Sequence, residues 1–184
     1  VRAGRGRSGP SPRTVCDEVQ GFLHDPQSVV EVLLDLLRDG GWGLGLGAGP
    51  VDEPLPAVSR EASGTAFVRA REAVEQAKSR AATAPVAVRG EPAARAAEVE
   101  ALLRLLAAVV DRRTAPGWEA VDALARVGGT QKDVARALGV SEQAVSQRLR
   151  TALWPEEAAA RPVVARLLGE LHEGPPADRQ EEKA

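Results

Sequence analysis

The chain has 184 residues, a formal net charge of -2, one cysteine and two histidines. That length suits one domain or one domain with a small companion module, while the lone Cys16 excludes an internal disulfide and no Cys/His cluster has the spacing of a zinc site. No apolar run approaches the roughly 18 residues of a membrane span, and no apolar segment follows the basic opening, so a cytoplasmic protein without metal or cofactor is expected.

Residues 1–13 carry four arginines, no acid and little to bury, which reads as a disordered basic tail. From Thr14, "TVCDEVQGFLH" has two short apolar runs split by Asp17 and Glu18, the pattern of a tight hairpin. Asp25 and Pro26 then supply an N-cap and a first helical residue. Val29, Val30, Leu33, Leu34 and Leu37 recur at helical spacing until Gly40 and Gly41, so an amphipathic helix is predicted there.

"GWGLGLGAGP" alternates glycine with Trp42, Leu44 and Leu46. In a strand, that alternation puts every large side chain on one face and leaves bare backbone on the other, to be approached by a packed helix. A phosphate-binding loop fits less well, because Pro50, Pro54 and Pro56 follow the glycines where a helix would have to start. "TAFVRAREAVEQAKSR" places Phe67, Ala70, Val74 and Ala77 on one helical face, and "VAVRG" after Pro85 reads as a short strand. Residues 14–90 are thus predicted to form a small α/β module.

Helix alone follows. A connecting helix is predicted over 95–113, and its wide apolar band of Leu102, Leu103, Leu105, Leu106, Val109 and Val110 suits a joint between modules or a dimer interface. A further all-α unit is predicted over 116–172, its last helix opened by Pro155 and kinked or restarted at Pro162, with Trp154 closing a three-helix core. The tail 174–184 is polar and expected to be disordered.

Within that unit, "TQKDVARALGVSEQAVSQRLR" is the most patterned stretch of the chain. Thr130 with Asp133 makes a capping-box arrangement, and Val134, Ala135 and Leu138 give the first helix an apolar side. Gly139 suits the left-handed turn past the helix end, Ser141 caps the second helix, and Ala144, Val145 and Leu149 face inward. This pattern resembles the helix-turn-helix of bacterial regulators, with Gln131, Ala135, Gly139, Val140, Val145 and Leu149 at its polar start, small residue, turn glycine and inward positions. The resemblance implies double-stranded DNA as partner, read through Gln143, Ser146, Gln147 and Arg150, with Lys132, Arg136 and Arg148 on phosphates. From Arg126 to Trp154 the bases Arg126, Lys132, Arg136, Arg148 and Arg150 outweigh the acids Asp133 and Glu142, so the acidity of the chain lies elsewhere.

In the front half, "CDEVQGFL", "GWGLGLGAGP" and "AFVRAREAVEQAK" together resemble the SatD family of bacterial proteins and, more remotely, nucleotide cyclase domains of the GGDEF type. The resemblance implies a ferredoxin-like fold. It also implies metal-binding carboxylates, one of them on a strand ahead of the hairpin, and no such strand is expected here. Two adjacent acids, Asp17 and Glu18, without a partner carboxylate cannot hold magnesium against a triphosphate. The absent methionine, the missing strand and the basic tail together lead to the expectation of an N-terminally shortened version of a longer protein.

The expectation is therefore an α+β protein: a small, shortened ferredoxin-like α/β module followed by an all-α three-helix helix-turn-helix unit. Its function is that of a non-enzymatic bacterial transcription regulator, dimeric if its sites are paired. The alternatives are a degenerate cyclase-like sensor or enzyme, and a protein-interaction module like region 4 of sigma factors.

Overall fold

Glycine at every second position strips one face of a strand of its side chains. In the computed structural model, which describes residues 2–5, 18–52, 63–79 and 84–173, that strand is β3 (Trp42–Gly47) and helix α2 (Thr65–Ala77) lies directly on the bare face. A Cβ on Gly45 would stand 2.3 Å from the backbone nitrogen of Val74, and one on Gly47 would stand 2.2 Å from the carbonyl oxygen of Ala66. Leu44 and Leu46 point the other way and are buried. β4 (Val86–Arg89) pairs in parallel with β3, Leu44 opposite Val86, so the predicted strand, helix and strand form a βαβ unit. Ala87 joins Ala73 and Ala77 beneath α2, while Val86 and Val88 face the opposite side.

The front of the chain departs from the prediction. Arg2–Arg5, expected in a disordered tail, form strand β1, which pairs antiparallel with both β2 (Glu18–Gln20) and β3; the sheet order is β2-β1-β3-β4. A strand paired on both edges is held by backbone hydrogen bonds, which need no apolar side chain, and composition therefore gives no sign of it. A strand does precede β2, correcting the expectation that none is there. Glu18 sits in a strand and not in a turn between two short apolar runs. Asp17, Cys16 and the rest of 6–17 lie outside the described residues, as does the tail after 173. The sheet also differs from a ferredoxin-like one, because β3 and β4 are direct parallel neighbours and helices cover both of its faces.

The second face carries the main core. Helix α1 (Pro26–Asp39) forms as predicted: the carboxylate of Asp25 accepts from the Ser28 backbone and hydroxyl, both at 2.7 Å, and Gly40 ends it at φ 74°. Its Val29, Val30, Leu33 and Leu34 meet Leu44, Leu46, Val86 and Val88 of the sheet. Helix α3 (Ala93–Arg112) is more than a connector, since Val99, Leu103, Leu106, Ala107 and Val110 lie in this same core. Leu105, from its apolar band, is exposed. α3 also closes the sheet edge: Glu100 accepts from the Val88 backbone at 2.8 Å and Arg104 donates to the Val86 carbonyl at 3.1 Å.

The last helix, α7 (Trp154–Glu173), runs unbroken through Pro162. It had been expected with the helix-turn-helix unit, yet Val164, Leu167, Leu168 and Leu171 belong to the α/β core. An apolar stripe identifies a helix that must be covered, but not by which neighbour. Between α3 and α7 stand α4 (Ala115–Val127), α5 (Gln131–Leu138) and α6 (Glu142–Thr151), with a separate core of Ala120, Val121, Ala123, Val134, Ala135, Val145, Leu149 and Ala152. Trp154 packs at its border as predicted, and Trp118 touches both cores. Among the described residues no helix is long and apolar enough to cross a membrane.

Candidate nucleic-acid interface

The turn between α5 and α6 is built by local chemistry. Thr130 Oγ1 accepts from the Asp133 backbone at 3.4 Å while Asp133 Oδ2 accepts from the Thr130 backbone at 3.0 Å, completing the capping box. Hydrogen bonds from the Thr130 hydroxyl and backbone, with Arg136 and Lys132 nearby, hold the Asp133 carboxyl below its ordinary range. At the other end Gly139 is left-handed, at φ 65°, and the Val140 N–H reaches the Ala135 carbonyl while that of Gly139 reaches Arg136. These crossed bonds are a Schellman motif, which satisfies carbonyls the helix would otherwise leave open. Ser141 Oγ then accepts from the Ala144 backbone at 3.1 Å to start α6.

Burial divides α6 as predicted. Val145 and Leu149 are buried with Val134 and Ala135 of α5, and Ala144 is half-buried. Gln143, Gln147 and Arg150 are exposed on the opposite side; Ser146 is half-buried and faces a groove that it lines with Gln131, Leu124, Arg150 and Trp154. Gln147 makes only a long bond to Thr151, at 3.4 Å, so its amide can be redirected at little cost.

The basic residues are not equivalent. Arg148 donates to Glu119 of α4 at 2.7 Å and Arg136 lies 3.4 Å from Asp133, so each already has an anion. Lys132 and Arg150 are exposed and make no ion pair among the described residues. Arg126, not selected from sequence, is exposed in the last turn of α4 and donates only a long bond to its own helix, at 3.4 Å. Glu119 also went unseen, because it lies 29 positions from Arg148 and nothing local links them. The free positive charge of the unit is thus narrower than its composition suggests, and it sits on Lys132, Arg150 and Arg126.

Two charged contacts seat this unit on the α/β core. Arg38 of α1 forks onto both oxygens of Asp122 of α4, and its guanidinium lies 4.1 Å from the centre of the Trp118 ring. Arg113 is fully buried: it donates to the Ala152 carbonyl at 3.1 and 2.9 Å, pairs with the equally buried Glu157, and lies 4.4 Å from the Trp118 ring. Arg161 supplies Glu157 with a second cation at 2.5 Å.

No protein family, curated protein or solved structure matches this chain at a meaningful level. Among the described residues, no three His, Cys, Asp or Glu side chains are grouped so as to hold a metal ion. Asp17 and the side chain of Glu18, on which the cyclase-like alternative rests, lie outside the described residues.

Proposed function

We propose that the chain binds double-stranded DNA through α6 and acts as a transcription regulator. One observation carries this reading: once caps, turn and core account for the Thr, Gly, Ser, Val and Leu of the motif, the exposed Gln143, Gln147 and Arg150 remain, with no structural partner that needs them. Amide groups in the first two turns of a projecting helix, with a guanidinium in its last turn, suit the edges of adenine and guanine and the neighbouring phosphates of a major groove. Exposed Lys132, at the start of α5, and Arg126, in the last turn of α4, supply charge for phosphates in this reading. Arg136 and Arg148 contribute less, since their charge is already balanced by Asp133 and Glu119.

Selection of bound sequences from a random duplex pool tests the reading. A defined consensus is expected, and Gln147→Ala should relax it by about 1–3 kcal/mol at one base pair. Lys132→Ala should weaken binding to every duplex alike and flatten the salt dependence by about 0.9 of an ion. A consensus with two-fold symmetry and half-sites about one turn apart identifies a homodimer as the binding species. Equal retention of selected and random duplex by the parent chain would overturn the proposal.

A further inference from the structure

Both phenylalanines of the chain stand at one cavity. Phe22 meets His24 edge to face, ring centres 4.4 Å apart, and Phe67 lies 6.4 Å from Phe22 at a tilt. Neither phenylalanine is fully buried. Behind them is a space of about 70 Å³ whose wall is made of the buried side chains of Val29, Leu46, Ala66, Ala70 and Leu168. It opens beyond Gly47, at the carboxyl end of β3, where open α/β sheets present their crevice. The β2–α1 connection, α1, β3, α2 and α7 all contribute to it.

We propose that this cavity binds a small uncharged molecule through one planar apolar ring. Among the described residues the wall carries no carboxylate, lysine or arginine, its polar side chains being Gln20 and His24, and the backbone around Ala48 is already engaged: its N–H donates to the Arg89 carbonyl and its own carbonyl accepts from Arg69 at 2.8 Å. An ion entering here would lose its hydration and find no counter-charge. Aromatic rings prefer edge-to-face and offset contacts, and the tilted pair of Phe22 and Phe67 lines the cavity with aromatic surface that such a ring can meet. The volume is smaller than that of the engineered cavity of roughly 150 Å³ that takes up benzene, so one ring enters only in part.

The site is also placed to be felt elsewhere. Leu168 lies on α7, whose first turns bring Trp154 and Glu157 against the helix-turn-helix unit, and Val29 lies on α1, whose last turn holds Asp122 through Arg38. That consequence rests on the DNA-binding reading; the site itself does not, and its test contains no DNA.

The full ¹⁵N-labelled chain is titrated with phenol, and in parallel with benzoate and cyclohexanol, while amide shifts are followed. Phenol should saturate with a Kd of about 1 mM or tighter, with shifts confined to residues 20–24, 46–49, 66–70 and the neighbours of Leu168. Benzoate, which carries a charge, and cyclohexanol, which lacks a flat ring, should each bind about tenfold more weakly. Leu23→Trp at the partly open mouth should abolish the phenol response, and Leu105→Trp on the exposed face of α3 should leave it intact. Phe67→Ala gives a second route to the same answer, a loss of about tenfold, should the first variant not fold. Shifts that never saturate or that spread over other surfaces, benzoate or cyclohexanol binding as tightly as phenol, or an unchanged response in a folded Leu23→Trp or Phe67→Ala would each overturn the proposal.

Discussion

Arg38 and Asp122, 84 positions apart in sequence, meet in a two-pronged ion pair with both N–O distances at 2.6 Å. The pair joins the last turn of α1 to the middle of α4, and so ties the α/β core to the three helices that carry the exposed glutamines. The Trp118 ring lies under the same guanidinium, which limits the directions it can take. A fork of this kind fixes an angle as well as a distance, which a single-point lysine contact would not do.

The hydrogen bond from Arg38 holds the Asp122 carboxyl below its ordinary range and holds the Arg38 guanidinium above its own. A carboxylate whose pKa falls on folding stabilises the fold fully above its unfolded value of about 3.9, and that contribution is lost as pH drops through the folded value. Asp122→Asn should therefore lower the melting temperature at pH 7 and by progressively less below about pH 4. Both side chains are about two-fifths exposed, at 41% and 39%, so the effect at pH 7 belongs with strong surface pairs, about 1 kcal/mol. Melting curves of parent and variant across this range check it; a gap of constant size would rule out the pair as its source.

Arg113 and Glu157 are a different kind of pair, buried at 0% and 1% exposure. Glu157→Ala leaves the Arg113 guanidinium without its anion in the interior, where one of its nitrogens already has no partner. The expected cost is about 3–5 kcal/mol by urea unfolding. Arg161→Ala removes the half-exposed third member and should cost less than half of that.

Glu119 of α4 balances Arg148 of α6, and removing it should change DNA binding with no substitution in α6 itself. Glu119→Gln frees one positive charge beside the exposed face, so the salt dependence of binding to random duplex should steepen by about 0.9 of an ion. Arg150→Ala should flatten it by the same amount, whereas Arg148→Ala should alter it by less than half as much. Fluorescence titrations between 50 and 200 mM salt, about the range in which such slopes are read, measure all three. Equal slopes for Arg148→Ala and Arg150→Ala would mean that the Glu119 pair opens on DNA.

Gly45→Ala probes the joint between β3 and α2. Its new methyl would meet backbone atoms, the Val74 nitrogen at 2.3 Å and the Ala70 carbonyl oxygen at 2.6 Å, and backbone cannot rotate aside. A loss of about 3 kcal/mol or more is expected, with the α2 amides the first to lose hydrogen-exchange protection. Gly169→Ala within α7, where the near neighbour among the described residues is the Pro26 ring at an ordinary 3.7 Å, should not destabilise and serves as the control.

Features that depend on neighbours a few positions apart were legible in the sequence. Asp25 with Pro26, Thr130 with Asp133, Gly139 and Ser141 act within one helical turn, and each forms the cap or turn that its residue type dictates. Alternating glycines announced a close-packed helix on β3, and α2 is there, although Phe67 on its expected inner face is only half-buried. The exposed side of α6 followed from the same periodicity, which is why Gln143, Gln147 and Arg150 could be named before any coordinates.

What required the tertiary structure is whatever depends on which distant surface arrives at a given face. Backbone pairing gives β1 its place between β2 and β3, and arginine side chains carry no sign of it. α7 had two cores to choose between, and its C-terminal half was claimed by the larger apolar face of the sheet. Arg148 and Arg150 look alike in a row of letters, yet Glu119 reaches only the first. The sequence by itself determined the local geometry of the helix-turn-helix, because caps and turns are short-range hydrogen-bonding problems. Only the folded chain decided which of its charges remain free, because a charge is neutralised by proximity in space, and proximity between distant segments is set by how the whole core packs.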